Sequence, residues 1–77
     1  MSIFSQLRDI ICYHHALQEN EVMLETRFKE DIGQDSLDDV QLLMQVESEF
    51  DIEISDEDAE KFKTVQDVVS YLEERQP

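Results

Sequence analysis

The chain has 77 residues and one cysteine, Cys12, which limits it to a small core and excludes an intrachain disulfide scaffold. Twenty acidic residues against six basic ones leave a net charge of −14. That balance argues against nucleic acid or an anionic membrane as a direct partner and favours basic protein surfaces. The opening Met1-Ser2-Ile3-Phe4 has neither a basic region nor a long apolar run, so a cytoplasmic protein without membrane insertion is expected.

Ser2 is placed to cap a first helix in which Ile3, Phe4, Leu7, Ile10 and Ile11 return to one face, and which is expected to end at about Tyr13 or His15. Cys12, following Ile10 and Ile11, reads as a small core residue. His14 and His15 are adjacent and diverge on a helix, so they lack the i, i+4 spacing of a helical zinc site, and no metal site is expected. They read as surface or helix-end residues, where a histidine suits the dipole. From Leu17 to Asp35 the periodicity lapses, and Val22, Leu24, Phe28 and Ile32 are expected to tie a long connection to the core, with a short helical turn near Thr26 to Lys29. A connection of this length is often functional.

The stretch Asp31-Ile32-Gly33-Gln34-Asp35-Ser36-Leu37-Asp38-Asp39 carries the signals of a turn followed by a helix start. Gly33 permits a tight turn, Asp35 suits the N-cap, and Asp38 and Asp39 complement the positive end of a helix running from Ser36 to about Phe50. A serine at a helix start is commonly just a cap. With Asp35 in that role, Ser36 is free to carry something where backbone N–H groups are unpaired, a place that suits a phosphate. Leu42, Leu43, Val46 and Phe50 form one apolar stripe, assigned to the core. Leu37, Val40 and Met44 form a second, which is either a widened core face or an exposed strip, bordered by carboxylates, that partners use. Thirteen acids and no Lys or Arg lie between Glu30 and Glu60, and the apolar periodicity within that run makes it a folded acidic surface rather than a disordered tail.

Asp51-Ile52-Glu53-Ile54 is expected to run extended, and Ser55 to cap a short helix through Lys61, pinned by Ile54, Ala59 and Phe62. Thr64 is the cap of a last helix, with Val65, Val68, Val69, Tyr71 and Leu72 apolar and Asp67 at the third position, fraying into Glu73-Glu74-Arg75-Gln76-Pro77. No repeat or linker divides the chain. The fold class expected is all-α, a small four-helix bundle of three main helices and one short one, forming one domain over residues 1–77. Catalysis is not expected: Gly33 is the only glycine, so there is no Gly-rich phosphate loop, and Ser36 has no sequence hint of an activating base.

The run from Phe28 to Met44, with Asp35-Ser36-Leu37 at its centre, resembles the attachment motif of the acyl carrier protein family. Glu47 to Lys61 and Thr64-Val65-Gln66-Asp67 are similar to its following segments, so the resemblance runs in register from Phe28 to Leu72 and more loosely includes the first helix. Ile32 stands where the family usually has Leu, Ser55 where Pro is common, and the usual small or Gly-containing helix end is missing around Ala16.

The resemblance implies a non-catalytic carrier, monomeric, in which a phosphopantetheinyl transferase moves 4'-phosphopantetheine from coenzyme A onto Ser36. The terminal thiol of that arm would hold acyl groups as thioesters. It further implies a docking face of Asp35, Leu37, Asp38, Val40, Met44 and Glu47 for acyl-loading, elongating and acyl-transferring enzymes with basic patches. An acyl chain would lodge near Phe28, Val46, Phe50, Ile54, Ala59, Phe62, Val68 and Leu72. The pathway served would be fatty-acid synthesis or a related lipid or polyketide route. The alternatives are an acidic interaction module without an arm, and a peptidyl or aminoacyl carrier, against which the density of acids in the middle of the chain argues.

Overall fold

Each helix begins at a side-chain cap. Ser2 Oγ accepts from the Ser5 N–H at 3.1 Å and opens α1, Ile3–His15. Asp35 Oδ1 accepts from the Asp38 N–H at 2.9 Å and opens α2, Ser36–Phe50. Ser55 Oγ accepts from the Asp58 N–H at 3.2 Å and opens the short α3, Asp56–Ala59. At α4, Val65–Arg75, Thr64 Oγ1 accepts from the Asp67 N–H at 3.3 Å while Asp67 reaches back to the Thr64 N–H at 3.0 Å, a reciprocal capping box. These contacts come from a computed structural model that describes residues 2–75.

The described residues form an all-helical fold of three main helices and a short one, with no strand beyond a single antiparallel bridge between Arg27 and Thr64. α1 packs on both α2 and α4. The core they enclose contains Leu7, Ile10 and Ile11 from α1, Leu42, Val46 and Phe50 from α2, and Val65, Val68, Val69 and Leu72 from α4, all buried. Burying each such side chain stabilises the fold by roughly 1.5–3 kcal/mol before the loss of conformational entropy. Cys12 is half-buried against this core, and burial first of all, then the nearby Glu19 carboxylate, pushes its thiol pKa up, which makes the thiol less reactive.

The connection from α1 to α2 has more structure than its sequence discloses. It holds a 3₁₀ turn at Glu19–Glu21 and a π-helical turn at Phe28–Ile32, later than the turn expected near Thr26 to Lys29. The shift has a non-local cause: before that turn, the backbone is stitched to the segment entering α4, with Phe28 N–H donating to Lys63 O at 3.1 Å and Val65 N–H to Thr26 O at 3.0 Å. Val22 and Phe28 are buried beneath it.

α3 stops at Ala59 and gives way to a turn at Glu60 and Lys61, so it is shorter than expected. It is held to α4 mainly through Asp58, whose carboxylate accepts from Tyr71 Oη at 3.0 Å and pairs with Arg75 at 3.5 Å. Arg75 also stacks over the Tyr71 ring at 4.1 Å, and Phe62 meets that ring edge-on at 5.2 Å. These contacts explain why α4 stays helical through Arg75 instead of fraying from Glu73; Gln76 and Pro77 lie outside the described residues. No helix among the described residues is long and apolar enough to cross a membrane.

Candidate functional site

The turn into α2 is built residue by residue. Gly33 closes the π-helical turn with φ 78, a left-handed conformation in which glycine alone avoids strain, and its N–H donates to Lys29 O at 3.1 Å. Asp35 and Asp38 then form a capping box, each carboxylate facing the other's backbone N–H. With Asp35 as cap, Ser36 is exposed at the first helical position and its hydroxyl meets no partner among the described residues. The N–H groups of Ser36 and Leu37 meet none either, so two donors at the positive end of the helix point to solvent beside the hydroxyl. A phosphate ester on that oxygen fits the place, since both its negative charge and its acceptor oxygens are matched.

Beside Ser36 the second stripe of α2 is open to solvent: Leu37 is 65% exposed, Val40 54% and Met44 63%. The stripe is therefore an exposed strip and not a widened core face. Asp35, Asp38 and Glu47 border it, and Glu47 is also tied down, accepting from the Ile54 N–H at 2.7 Å and so holding the extended segment that follows α2.

On the other side of Ser36 lies a cavity of about 490 Å³, within the roughly 300–1,000 Å³ usual for ligand sites. Its floor is apolar, with Leu7, Phe28, Leu42, Val46, Phe62 and Val68 in the lining. Its rim is polar, with Gln34, Ser36, Asp39, Asp56 and Glu60. Gln34 is only 5% exposed, the one buried polar side chain among the described residues. Its amide bridges the end of α1 to the start of α2, with His15 Nε2 at 2.8 Å from its Oε1 and its Nε2 donating to the Asp39 carboxylate. A carboxylate oxygen accepts, so the NH₂ group must face Asp39 and the carbonyl must face His15, which places the His15 proton on Nε2.

Residues 5–72 match the family described as "Phosphopantetheine attachment site". The chain is 52% identical to the acyl carrier protein of Bdellovibrio bacteriovorus over 75 residues, covering 97% of this chain and 96% of that one. It is 49% identical to the acyl carrier protein of Clostridium perfringens over 72 residues, covering 94% of this chain and 95% of that one. The chain belongs to the acyl carrier protein family. It is a non-catalytic carrier with a phosphopantetheine attachment domain, and the match covers nearly the whole fold described above.

Phe28, Val46, Ala59, Phe62 and Val68 line the cavity beside Ser36, whereas Phe50, Ile54 and Leu72 do not. Phe50 and Leu72 are buried core residues, and Ile54 is half-buried against that core. Leu7, Leu42 and Leu43, which periodicity assigned to apolar helix faces, line the cavity as well, as do Val40 from the second stripe and the polar residues Gln34 and Asp39, which periodicity does not single out. For Gln34 a signal was present: a neutral amide between the only glycine and a cap, in a turn whose other polar positions are acidic.

Proposed function

We propose that Ser36 is the residue that carries 4'-phosphopantetheine, and that the chain works as one carrier domain in fatty-acid synthesis or a related acyl pathway of the cytoplasm. The observation that carries this is the exposed, unpartnered hydroxyl at the start of α2, beside two free N–H donors and an acid that already caps the helix. In the modifying step Ser36 Oγ bonds to the β-phosphorus of coenzyme A. The pyrophosphate P–O bond breaks, adenosine 3',5'-bisphosphate leaves, and the hydroxyl proton passes to a base of the transferase. The arm, once attached, supplies a thiol that holds an acyl group as a thioester.

The chain's own residues do the rest. Leu37, Val40 and Met44 offer an apolar strip to the transferase and to acyl-loading, elongating and acyl-transferring enzymes. Asp35, Asp38 and Glu47 steer basic patches toward it, raising encounter rates more than final affinity, as a carrier that must release its partners needs. The cavity beside Ser36 shelters the acyl chain from water. The test is intact mass after incubation with coenzyme A and a broad-specificity transferase. Wild type should gain one phosphopantetheine and Ser36→Ala none, and the rate should fall as NaCl is raised. An unmodified wild type, or a modified Ser36→Ala, would refute the assignment.

A further inference from the structure

Polar groups are not spread evenly along the cavity. On α2 the lining comprises Ser36, Asp39, Val40, Leu42, Leu43 and Val46, of which Ser36, Asp39, Leu43 and Val46 are spaced to share one face of the helix. Exposure falls along that line, from exposed Ser36 through half-buried Asp39 to Val46 at 1%. A chain entering from the Ser36 end therefore meets Asp39 and the buried Gln34 amide before it reaches the apolar floor.

Neither group is saturated. The Gln34 amide has two N–H donors, of which one goes to Asp39 and the other meets no acceptor among the described residues. The Asp39 carboxylate accepts that one hydrogen bond and retains further acceptor capacity. Asp56 and Glu60 also line the cavity, but they are exposed and keep their water, whereas Asp39 is partly withdrawn from it. A saturated chain sliding past would strip water from Asp39 and from the spare N–H and return nothing. A hydroxyl on the chain would donate to Asp39 and accept from Gln34.

We propose that Gln34 and Asp39 form a selectivity element at the mouth of the cavity, favouring 3-hydroxyacyl groups over saturated acyl groups of the same length. His15 is a positioning residue, because its Nε2–H holds the Gln34 carbonyl and thereby turns the NH₂ group toward Asp39. The inference rests on the reading of this cavity as the acyl site.

To test it, the phosphopantetheine-bearing chain is loaded with 3-hydroxydecanoyl or decanoyl groups. Hydroxylamine cleavage of each thioester is compared with the same thioester on free pantetheine, and methyl NMR shifts of Val46 and Val68 report chain entry. The 3-hydroxy chain should be protected about tenfold more than the saturated one, the effect of one charge-assisted hydrogen bond in a half-exposed setting. Asp39→Leu should abolish that difference, and Asp39→Asn, which keeps an acceptor oxygen but loses the charge, should retain only part of it.

Equal protection of the two chains on wild type, or an advantage that survives Asp39→Leu in a variant shown to be folded by circular dichroism, would overturn the selectivity element. If Asp39→Leu does not fold, Asp39→Ala takes its place under the same criterion. If neither chain moves the core methyls or slows cleavage, the acyl-site reading fails and this inference falls with it. Equal methyl shifts and equal protection would leave that reading standing and remove only the selectivity.

Discussion

Replacing Ala16 by glycine should stabilise the fold. Ala16 ends α1 with φ 55 and ψ 44, in the left-handed region, while its N–H and that of Leu17 both donate to Cys12 O. An L-residue in this conformation costs about 1–2 kcal/mol relative to glycine. Glycine in turn loosens the unfolded chain, which opposes the gain by about 0.4–1 kcal/mol. Ala16 is exposed, so little packing is lost with its methyl group, and the strain term wins by about 0.5–1 kcal/mol. For a domain of this size the midpoint of thermal unfolding should rise by about 3–6 °C. Thermal and urea melts of wild type and Ala16→Gly, followed by circular dichroism in the same buffer, measure it, and the urea m value should not change. Gly33→Ala supplies the opposite sign, because φ 78 is imposed there and a Cβ would meet nothing within 4 Å, so strain alone acts. An Ala16→Gly protein that melts at or below the wild-type midpoint would refute the reasoning.

Two further outcomes follow from the polar contacts. Nitrogen-15 NMR of the imidazole should find the neutral His15 ring protonated on Nε2, and Gln34→Ala, which strands His15 and Asp39, should lower unfolding free energy by about 1–3 kcal/mol in urea; a predominantly Nδ1–H tautomer would contradict the relay. The Asp58 carboxyl lies below its ordinary pKa, chiefly because Tyr71 donates to it, with Ser55, Lys61 and Arg75 contributing in the same direction. A depressed folded pKa contributes stability that is fully present above the ordinary carboxylate value near pH 4, and that is lost as the pH falls from there through the folded value. Asp58→Asn should therefore destabilise the protein at neutral pH and flatten the acid limb of a plot of stability against pH; an acid limb as steep as that of wild type would count against the Asp58–Tyr71 contact.

How far the sequence discloses this molecule depends on the range of the interactions involved. Ser2, Asp35, Ser55 and Thr64 are recognisable as caps because a cap and its target lie within three residues, and each makes its hydrogen bond as the spacing dictates. The apolar stripe Leu42, Leu43, Val46 and Phe50 is legible for the same reason: Leu42, Val46 and Phe50 are buried and Leu43 is half-buried. The π-helical turn at Phe28–Ile32 is not legible, because the backbone leading into it is fixed by hydrogen bonds to a segment more than thirty residues away. The relay from His15 to Gln34 spans nineteen positions and needs the end of α1 to meet the start of α2. Among buried apolar residues, periodicity separates inside from outside but not void from filling. Phe50 and Leu72 fill the core, while Leu7, on a different helix altogether, lines the cavity.

The acids around Ser36 illustrate why charge alone is a poor guide to a docking face. Asp35 and Asp38 cap α2, Asp39 anchors Gln34, and Glu47 holds the backbone of Ile54, so each has a partner within the fold before any enzyme approaches. Reversing one of these charges would disturb a cap or a connection as well as the field, and a slower partner reaction would not separate the two effects. Leu37, Val40 and Met44 hold no cap or connection, being more than half exposed and outside the buried core, though Val40 also lines the cavity. The field is different in kind, since thirteen acids between Glu30 and Glu60 produce it together and salt screens it without disturbing any single cap. On the proposed docking face, long-range steering is therefore a collective property of the acidic run, while the local shape offered to a partner would be set by three apolar side chains beside one free hydroxyl.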